Sequence, residues 1–147
     1  MAIYIAGQIL TTVIGKHLLT KAIADSSTSI YGSLSSICFY SKNIDKTIKS
    51  LDIKSKLKTI EGACRSLGSL KSHEQTIDTC LESIHEIILN IKCDLKIINK
   101  KVAKHEGKYF NSWRSLNLKK ELESLKLHCK ILDQRYELLA NTMTILK

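Results

Sequence analysis

The sequence predicts an all-α protein, a helical bundle of about four to six helices framed by a long antiparallel C-terminal helical hairpin. Its 147 residues contain no proline, the residue that most strongly interrupts helices. Two long stretches carry apolar residues at alternating steps of four and three, the heptad pattern of packed helices. We expect a single domain with three parts: an apolar segment (1–40), a basic kinked segment (41–71) and a heptad hairpin (72–147).

The N-terminal residues 1–24 are the most apolar part and predict a helix. Their uncharged run ends at Lys16, short of the ~20 residues that a membrane-spanning helix needs, and no basic stretch precedes it as in a secretory signal. Gly7, Thr11 and Gly15 recur at four-residue spacing, which lets another helix approach closely. We expect a buried bundle helix; the alternative is a segment that inserts into or lies on a membrane.

A serine-rich stretch comes next and predicts a short interruption of the helix at residues 25–28, with Asp25 or Ser26 as the cap. From Ile30 onwards the apolar spacing is helical again. A second helix is therefore expected to run to about Tyr40.

Residues 41–71 carry much of the positive charge and two apolar stripes that differ in direction. The stripe that ends at Leu51 and the one that begins at Ile53 lie about half a turn apart on a helix. One straight helix cannot bury both, so we expect a break near Ser50–Asp52, with one of these two residues as the cap of the next helix. Lys42, Lys46 and Lys49 lie opposite the first apolar stripe. The candidates for binding an anionic partner are Lys42, Lys46, Lys49, Lys56 and Lys58.

The central helix is predicted over residues 72–105 from an uninterrupted heptad seam. Leucine at two of the four a positions with isoleucine at every d position favours three- or four-helix packing, and Ile88 and Val102 at the other a positions dilute this signal. Ser72 and Gln75 fit a capping box, and Gly107 suits the C-terminal cap. The seam consists of Ile77, Leu81, Ile84, Ile88, Ile91, Leu95, Ile98 and Val102.

The connection at residues 105–117 gathers large aromatic side chains, and a second heptad helix comes after it. The cluster is expected either to plug the end of the bundle or to form a binding epitope, because aromatic residues and arginine are common interface anchors. Asn117 is the expected N-cap of the last helix. Two heptad helices joined by a short connection predict an antiparallel hairpin. The connection cluster is Tyr109, Phe110, Trp113 and Arg114; the second seam is Leu118, Leu122, Leu125, Cys129, Leu132, Tyr136, Leu139, Met143 and Leu146.

Charge and cysteine content bound the partners and the compartment. The formal charge of +9 is compatible with nucleic acid, an anionic membrane surface or an acidic protein as partner, and also with a simple solvated lysine-rich surface. The five cysteines are widely spaced and lack zinc-ligand spacing. Free thiols in a reducing compartment are expected, which favours an intracellular or virion location over secretion.

No sequence motif predicts an enzyme, a metal site or a cofactor. Glu82-Ser-Ile-His85 is a single Glu-x-x-His motif, whereas a di-metal bundle needs two such motifs and two more carboxylates. Glycine-rich phosphate loops and His-Glu-x-x-His are missing from the sequence. We expect a non-enzymatic structural, assembly or adaptor protein that binds other protein chains through helix packing, as an oligomer or larger assembly. A membrane-associating bundle is the alternative, and nucleic-acid binding is less favoured.

The C-terminal half contains the stretch HEGKYFNSWRSLNLKKELESLKLHCKILDQRYELL, preceded by an Ile/Lys-rich helix. This half resembles small helical proteins of large DNA viruses, including virion and minor capsid-associated components. The resemblance implies a structural role in a particle, and it includes no defining motif from which a functional residue could be carried over. The layout of an apolar helix ahead of a bundle is also similar to membrane-permeabilising cell-death bundles, in arrangement only.

Overall fold

The computed structural model describes residues 2–37, 42–67, 75–106 and 117–145, and these residues form five helices. The described part contains no strand, so the all-α class and the expected number of helices are confirmed. In chain order the helices are α1 (Ala2–Ile37), α2 (Lys42–Ser50), α3 (Ile53–Leu67), α4 (Gln75–Glu106) and α5 (Lys119–Ile145).

Helices α1, α3, α4 and α5 pack as a four-helix bundle, and α2 precedes α3 in the chain with its Ile44 and Ile48 buried in the same core. α1 packs against α4 and α3, and α5 packs against the same two helices. α4 and α5 are antiparallel, because contacts join the end of α4 to the start of α5 and the start of α4 to the end of α5. α1 and α4 run parallel: Asn99 Nδ2 donates to the Ser33 carbonyl oxygen at 3.1 Å, and both residues lie near the C-terminal ends of their helices.

α4 lies at the centre of the core, as its seam predicts. Each of its eight seam residues is at most 3% exposed. The predicted antiparallel hairpin of α4 and α5 is present, but it is not the whole frame, because α1 packs along α4 as well. Ser72, the predicted start of the helix, lies outside the described residues.

The predicted interruption at residues 25–28 is wrong, because α1 continues from Ala2 to Ile37. Ser26 and Ser27 are buried in the bundle instead of capping a helix end. The Thr28 hydroxyl donates to the Ala24 carbonyl oxygen at 3.0 Å, a side-chain bond that a helix interior accommodates. The serines are small packing residues on a continuous helix, and the predicted end near Tyr40 lies outside the described residues.

The predicted break near Ser50–Asp52 is confirmed. α2 ends at Ser50, and Asp52 adopts a left-handed backbone conformation with φ of 53°. The Asp52 carbonyl oxygen then accepts from the Lys56 N–H at 3.1 Å, which closes the first turn of α3. This change of direction lets the stripes of both helices face the core; the buried residues are Ile44, Ile48, Ile53, Leu57, Ile60, Cys64 and Leu67.

The start and the seam of α5 also agree with the prediction. The Asn117 side-chain oxygen accepts from the Lys119 N–H at 3.2 Å, as an N-cap residue does. The seam residues are buried or half-buried as far as Met143, and Leu146 lies outside the described residues; the fully buried ones are Leu118, Leu125, Cys129, Leu132 and Leu139.

Candidate interaction surfaces

A ladder of polar contacts joins α4 to α5 beside the apolar seam. The residues of the ladder occupy the g position of the heptad, which lies next to the a and d core positions. This position recurs every seven residues on each helix, so the contacts recur at the same interval. In an antiparallel pair the g position of one helix faces the g position of its partner. The g residues of α4 are Cys80, Ile87, Asp94 and Lys101, and those of α5, in facing order, are Thr142, Arg135, His128 and Glu121.

The structure forms a contact at each of these levels. Lys101 pairs with Glu121 at one end, and the Cys80 sulfur lies 4.0 Å from the Thr142 hydroxyl at the other. Between them, Arg135 faces Ile87, whose side chain cannot accept a hydrogen bond. The Arg135 guanidinium donates instead to the backbone carbonyl oxygen of Ser83, one turn earlier in α4, at 2.6 Å. These contacts fix the register of the two helices, because a shift by one residue would break all of them.

Asp94 is the best-satisfied polar group of the ladder. It is buried, and its two carboxylate oxygens have different partners. Oδ1 accepts from the Ser124 hydroxyl at 3.0 Å, and Oδ2 lies 2.5 Å from His128 Nδ1. An ionised carboxylate can only accept, so both neighbours donate to it. A buried carboxylate with two donors is held in place by the helix pairing that brings those donors together.

This Asp, His and Ser set is not arranged as a nucleophilic relay. In such a relay the serine hydroxyl donates to the imidazole, and the carboxylate holds the opposite ring nitrogen. Here the Ser124 hydroxyl donates to Asp94, so the imidazole of His128 is not placed to take its proton. The arrangement orients two helices and prepares no nucleophile.

The described cysteines of the core behave as small apolar residues. Cys129 is 1% exposed, as predicted for a seam position. Burial raises the pKa of its thiol to about 12, and burial with the nearby Glu61 raises the pKa of the Cys64 thiol to about 11. Both thiols therefore stay protonated and unreactive at neutral pH. Cys80 is also free and buried, whereas Cys93 is free and exposed on α4.

The lysines predicted to bind an anionic partner have different surroundings. Lys46, Lys49 and Lys58 are exposed. Lys49 pairs with Asp45 one turn away at 2.9 Å. Lys56 is half-buried and pairs with Asp133 of α5 at 3.0 Å, so it joins two helices and does not face outward. Of Lys42 the structure describes only the helical backbone.

Two members of the basic surface were not predicted from the sequence, Lys54 and Arg65, which are both exposed. With Lys58 they form one line along α3, within about 40° of each other on the helix and about 120° from the buried stripe. We call Lys54, Lys58 and Arg65 the basic stripe. A helical projection of residues 53–67 would have separated these three from Lys56, which lies on the flank towards α5.

α5 carries a second apolar line on its outer side, away from its core seam. Leu127 and Leu138 are 56% and 57% exposed, and Ile145 is 81% exposed. Ile131 lies in the same line and is half-buried. We call these four residues the outer stripe of α5. Three of them recur at seven-residue spacing, which places them on one face of the helix.

The remaining predicted site residues stay untested by the geometry. Gly7, Thr11 and Gly15 lie within helix α1, whose side chains are described only from residue 17 onwards. The aromatic cluster lies outside the described residues: Tyr109, Phe110, Trp113 and Arg114. Within the described ranges, none of the helices combines the length and apolar character needed to cross a membrane.

Together these observations define an all-α bundle whose described surface offers a basic stripe and an exposed apolar helix face. The chain is similar to an uncharacterized protein of Acanthamoeba polyphaga mimivirus, with 41% identity over 63 residues. That match covers 43% of this chain and 31% of the viral protein, so it spans about a third of the relative's length. No protein-family model matches the chain. No solved structure matches it either.

The viral match agrees with the coarse part of the sequence resemblance, a likeness to proteins of large DNA viruses. The relative is itself uncharacterized, so its name adds no activity, substrate or partner. Function is therefore inferred from the surfaces of the bundle.

Proposed function

We propose that the protein is a non-enzymatic assembly protein that associates with further copies of itself through helix packing, as a component of a virus particle or of its assembly. The observation that carries the proposal is the outer stripe of α5. Large apolar side chains scattered singly are ordinary on a protein surface, but a line of them on one helix face is typical of a surface that another chain covers. The likeness to a mimivirus protein supports the viral setting.

The structure of α5 supports this role because its two apolar lines are separate. The inner seam is buried in the core of the bundle, where Leu125, Leu132 and Leu139 are all fully buried. The outer stripe contributes to that core only through half-buried Ile131. Burial of apolar area contributes about 25 cal/mol per Å², so covering the outer stripe with a second chain stabilises an assembly without any change in the fold.

The ladder between α4 and α5 complements this role. It holds the hairpin in one register, so the outer stripe is presented as a fixed helix face. A rigid face loses little conformational entropy when it binds, which favours association. The location that fits this function is a virion or the interior of an infected cell, where the described thiols would remain reduced.

The proposal is tested by replacing the two outer leucines with glutamine, L127Q/L138Q, and comparing elution in gel filtration with that of the unmodified protein. We expect the unmodified protein to elute as an oligomer and the variant to elute as a monomer. The matched control is K126Q/K130Q, two exposed positions on the same helix but to one side of the outer stripe, which should elute like the unmodified protein. Equal elution of all three proteins as monomers would refute the assembly function.

A further inference from the structure

We propose that the basic stripe of α3 binds the phosphate backbone of double-stranded nucleic acid without reading its sequence. The stripe consists of Lys54, Lys58 and Arg65, which all point away from the core. This surface lies on α3 and the outer stripe lies on α5, so the inference does not depend on the self-association proposed above.

The stripe is held on a rigid support. α3 is anchored by a full line of buried side chains from Ile53 to Leu67. Lys54 and Arg65 lie eleven residues apart, about 16 Å along the helix axis at 1.5 Å per residue. A duplex carries one charge per about 1.7 Å of its axis, so a line of this length faces several phosphates at once.

A further hydroxyl donor flanks the stripe. Ser55 is exposed beside its lysines, and serine is among the residues that donate to phosphates together with lysine and arginine, whereas the Thr59 hydroxyl already donates to the Ser55 carbonyl oxygen at 3.0 Å. At the other end, Lys21 of α1 lines the same groove as Arg65. The acidic Glu61 also lines this groove, and its carboxylate accepts from the Tyr31 hydroxyl at 3.3 Å. Among its described lining residues the groove carries two cations, Lys21 and Arg65, against the one carboxylate of Glu61, so the positive charge of α3 extends in part onto α1.

The charges of the stripe are not used to hold the bundle together. Of the lysines in α2 and α3, Lys49 and Lys56 form ion pairs with Asp45 and Asp133. Within the described residues the three side chains of the stripe form no ion pair. These three side chains can therefore bind a partner without breaking an ion pair of the described bundle.

The composition of this surface favours a nucleic-acid backbone over a membrane or a protein. Helices that lie on membranes insert apolar side chains, and protein interfaces are anchored by aromatic or apolar residues. In the described chain the exposed large apolar residues lie on α1, α4 and α5, and none lies on α2 or α3. Apart from the carboxylates of Asp52 and Glu61, the described part of this surface consists of cations and hydroxyls, which suits phosphate oxygens, and phosphate contacts carry no sequence information.

The test measures binding of a fluorescent DNA duplex, about two helical turns long, by anisotropy over a series of salt concentrations from low to above physiological. The proteins compared are the full chain, the stripe variant K54Q/K58Q and the control K96Q/K100Q. The control removes the same charge from two exposed lysines of α4, so it separates a specific surface from net charge. Thermal unfolding by circular dichroism checks that both variants keep the fold.

We expect the full chain to bind the duplex, and the stripe variant to bind it roughly 50-fold more weakly at about 0.1 M salt. The reason is that each lost phosphate contact lowers the slope of log K against log salt concentration by about 0.9, and the variant loses two lysines. The control should keep its slope and lose less than about threefold in affinity, since its lysines contact no phosphate. A second DNA of unrelated sequence should bind equally well.

Three results would overturn the inference. The first is no binding of the full chain to the duplex at the lowest salt concentration. The second is an equal loss of affinity in the stripe variant and the control, which would mean that only net charge matters. The third is stripe-dependent binding to vesicles of phosphatidylserine and phosphatidylcholine with none to the duplex, which would assign the surface to a membrane.

Discussion

Replacing Asp94 with alanine should lower the free energy of unfolding by about 3 kcal/mol, because a hydrogen bond to a charged group contributes about 1.5–3 kcal/mol. The carboxylate is 8% exposed and accepts from Ser124 at 3.0 Å, with His128 Nδ1 at 2.5 Å. The two hydrogen bonds together would contribute more than this. The expected loss is smaller because the His128 side chain is 22% exposed, so water can replace part of its hydrogen bond to Asp94 in the variant. For a chain of this length the expected fall in Tm is about 10 °C.

Urea unfolding followed by circular dichroism measures this change, and a double-mutant cycle with His128→Ala isolates the contact between the two side chains. We expect a coupling energy of about 1–2 kcal/mol, within the range for residues in direct contact. Glu82→Ala is the control, because Glu82 is an exposed carboxylate on the outer side of the same helix, and it should change stability by less than about 0.5 kcal/mol. A similar small effect of Asp94→Ala, or an additive cycle, would refute the role of the ladder in holding α4 against α5.

Three further predictions concern single positions. Ser27 is fully buried, and its hydroxyl has no hydrogen-bond partner in the described part of the chain. Ser27→Ala should therefore leave the free energy of unfolding in urea unchanged or raise it by about 1 kcal/mol. Ser27→Leu should lower it by about 1–3 kcal/mol through overpacking. Asp52→Gly should raise stability by about 0.5–1 kcal/mol, because glycine adopts a φ of 53° without strain, and Asp52→Ala should lower it. In a Cys38→Ser background, Ellman's reagent should modify one thiol quickly, and Cys93→Ser should remove that fast phase, because Cys93 is exposed and the remaining three cysteines are buried.

The seams of α4 and α5 were predictable because burial of one helix face demands a repeating apolar pattern, and that pattern is visible in the sequence alone. The break before α3 was predictable for a related reason, since two stripes in different directions cannot share one straight helix. The serine-rich part of α1 was misjudged because serine favours caps and turns when exposed. Ser26 and Ser27 are buried against the bundle, and close helix packing outweighs their weak local preference.

The candidate surfaces were harder to predict, because each depends on which neighbours a helix has. Lys56 and Lys58 look equivalent in the sequence, yet the first faces Asp133 of α5 and the second faces outward. The contact of Asp94 with His128 required the antiparallel register of two helices, which a periodic pattern does not specify. The outer stripe of α5 lies beside a stronger seam, and no prediction from the sequence named its residues.

The bundle buries its own seams, and we propose that the outer stripe of α5 joins one chain to another. The most direct test of this central claim is the solution mass of the unmodified protein, measured by light scattering at two widely separated concentrations. We predict a defined dimer or larger species at the higher concentration. The mass of a single chain, 16.6 kDa, at both concentrations would contradict the claim.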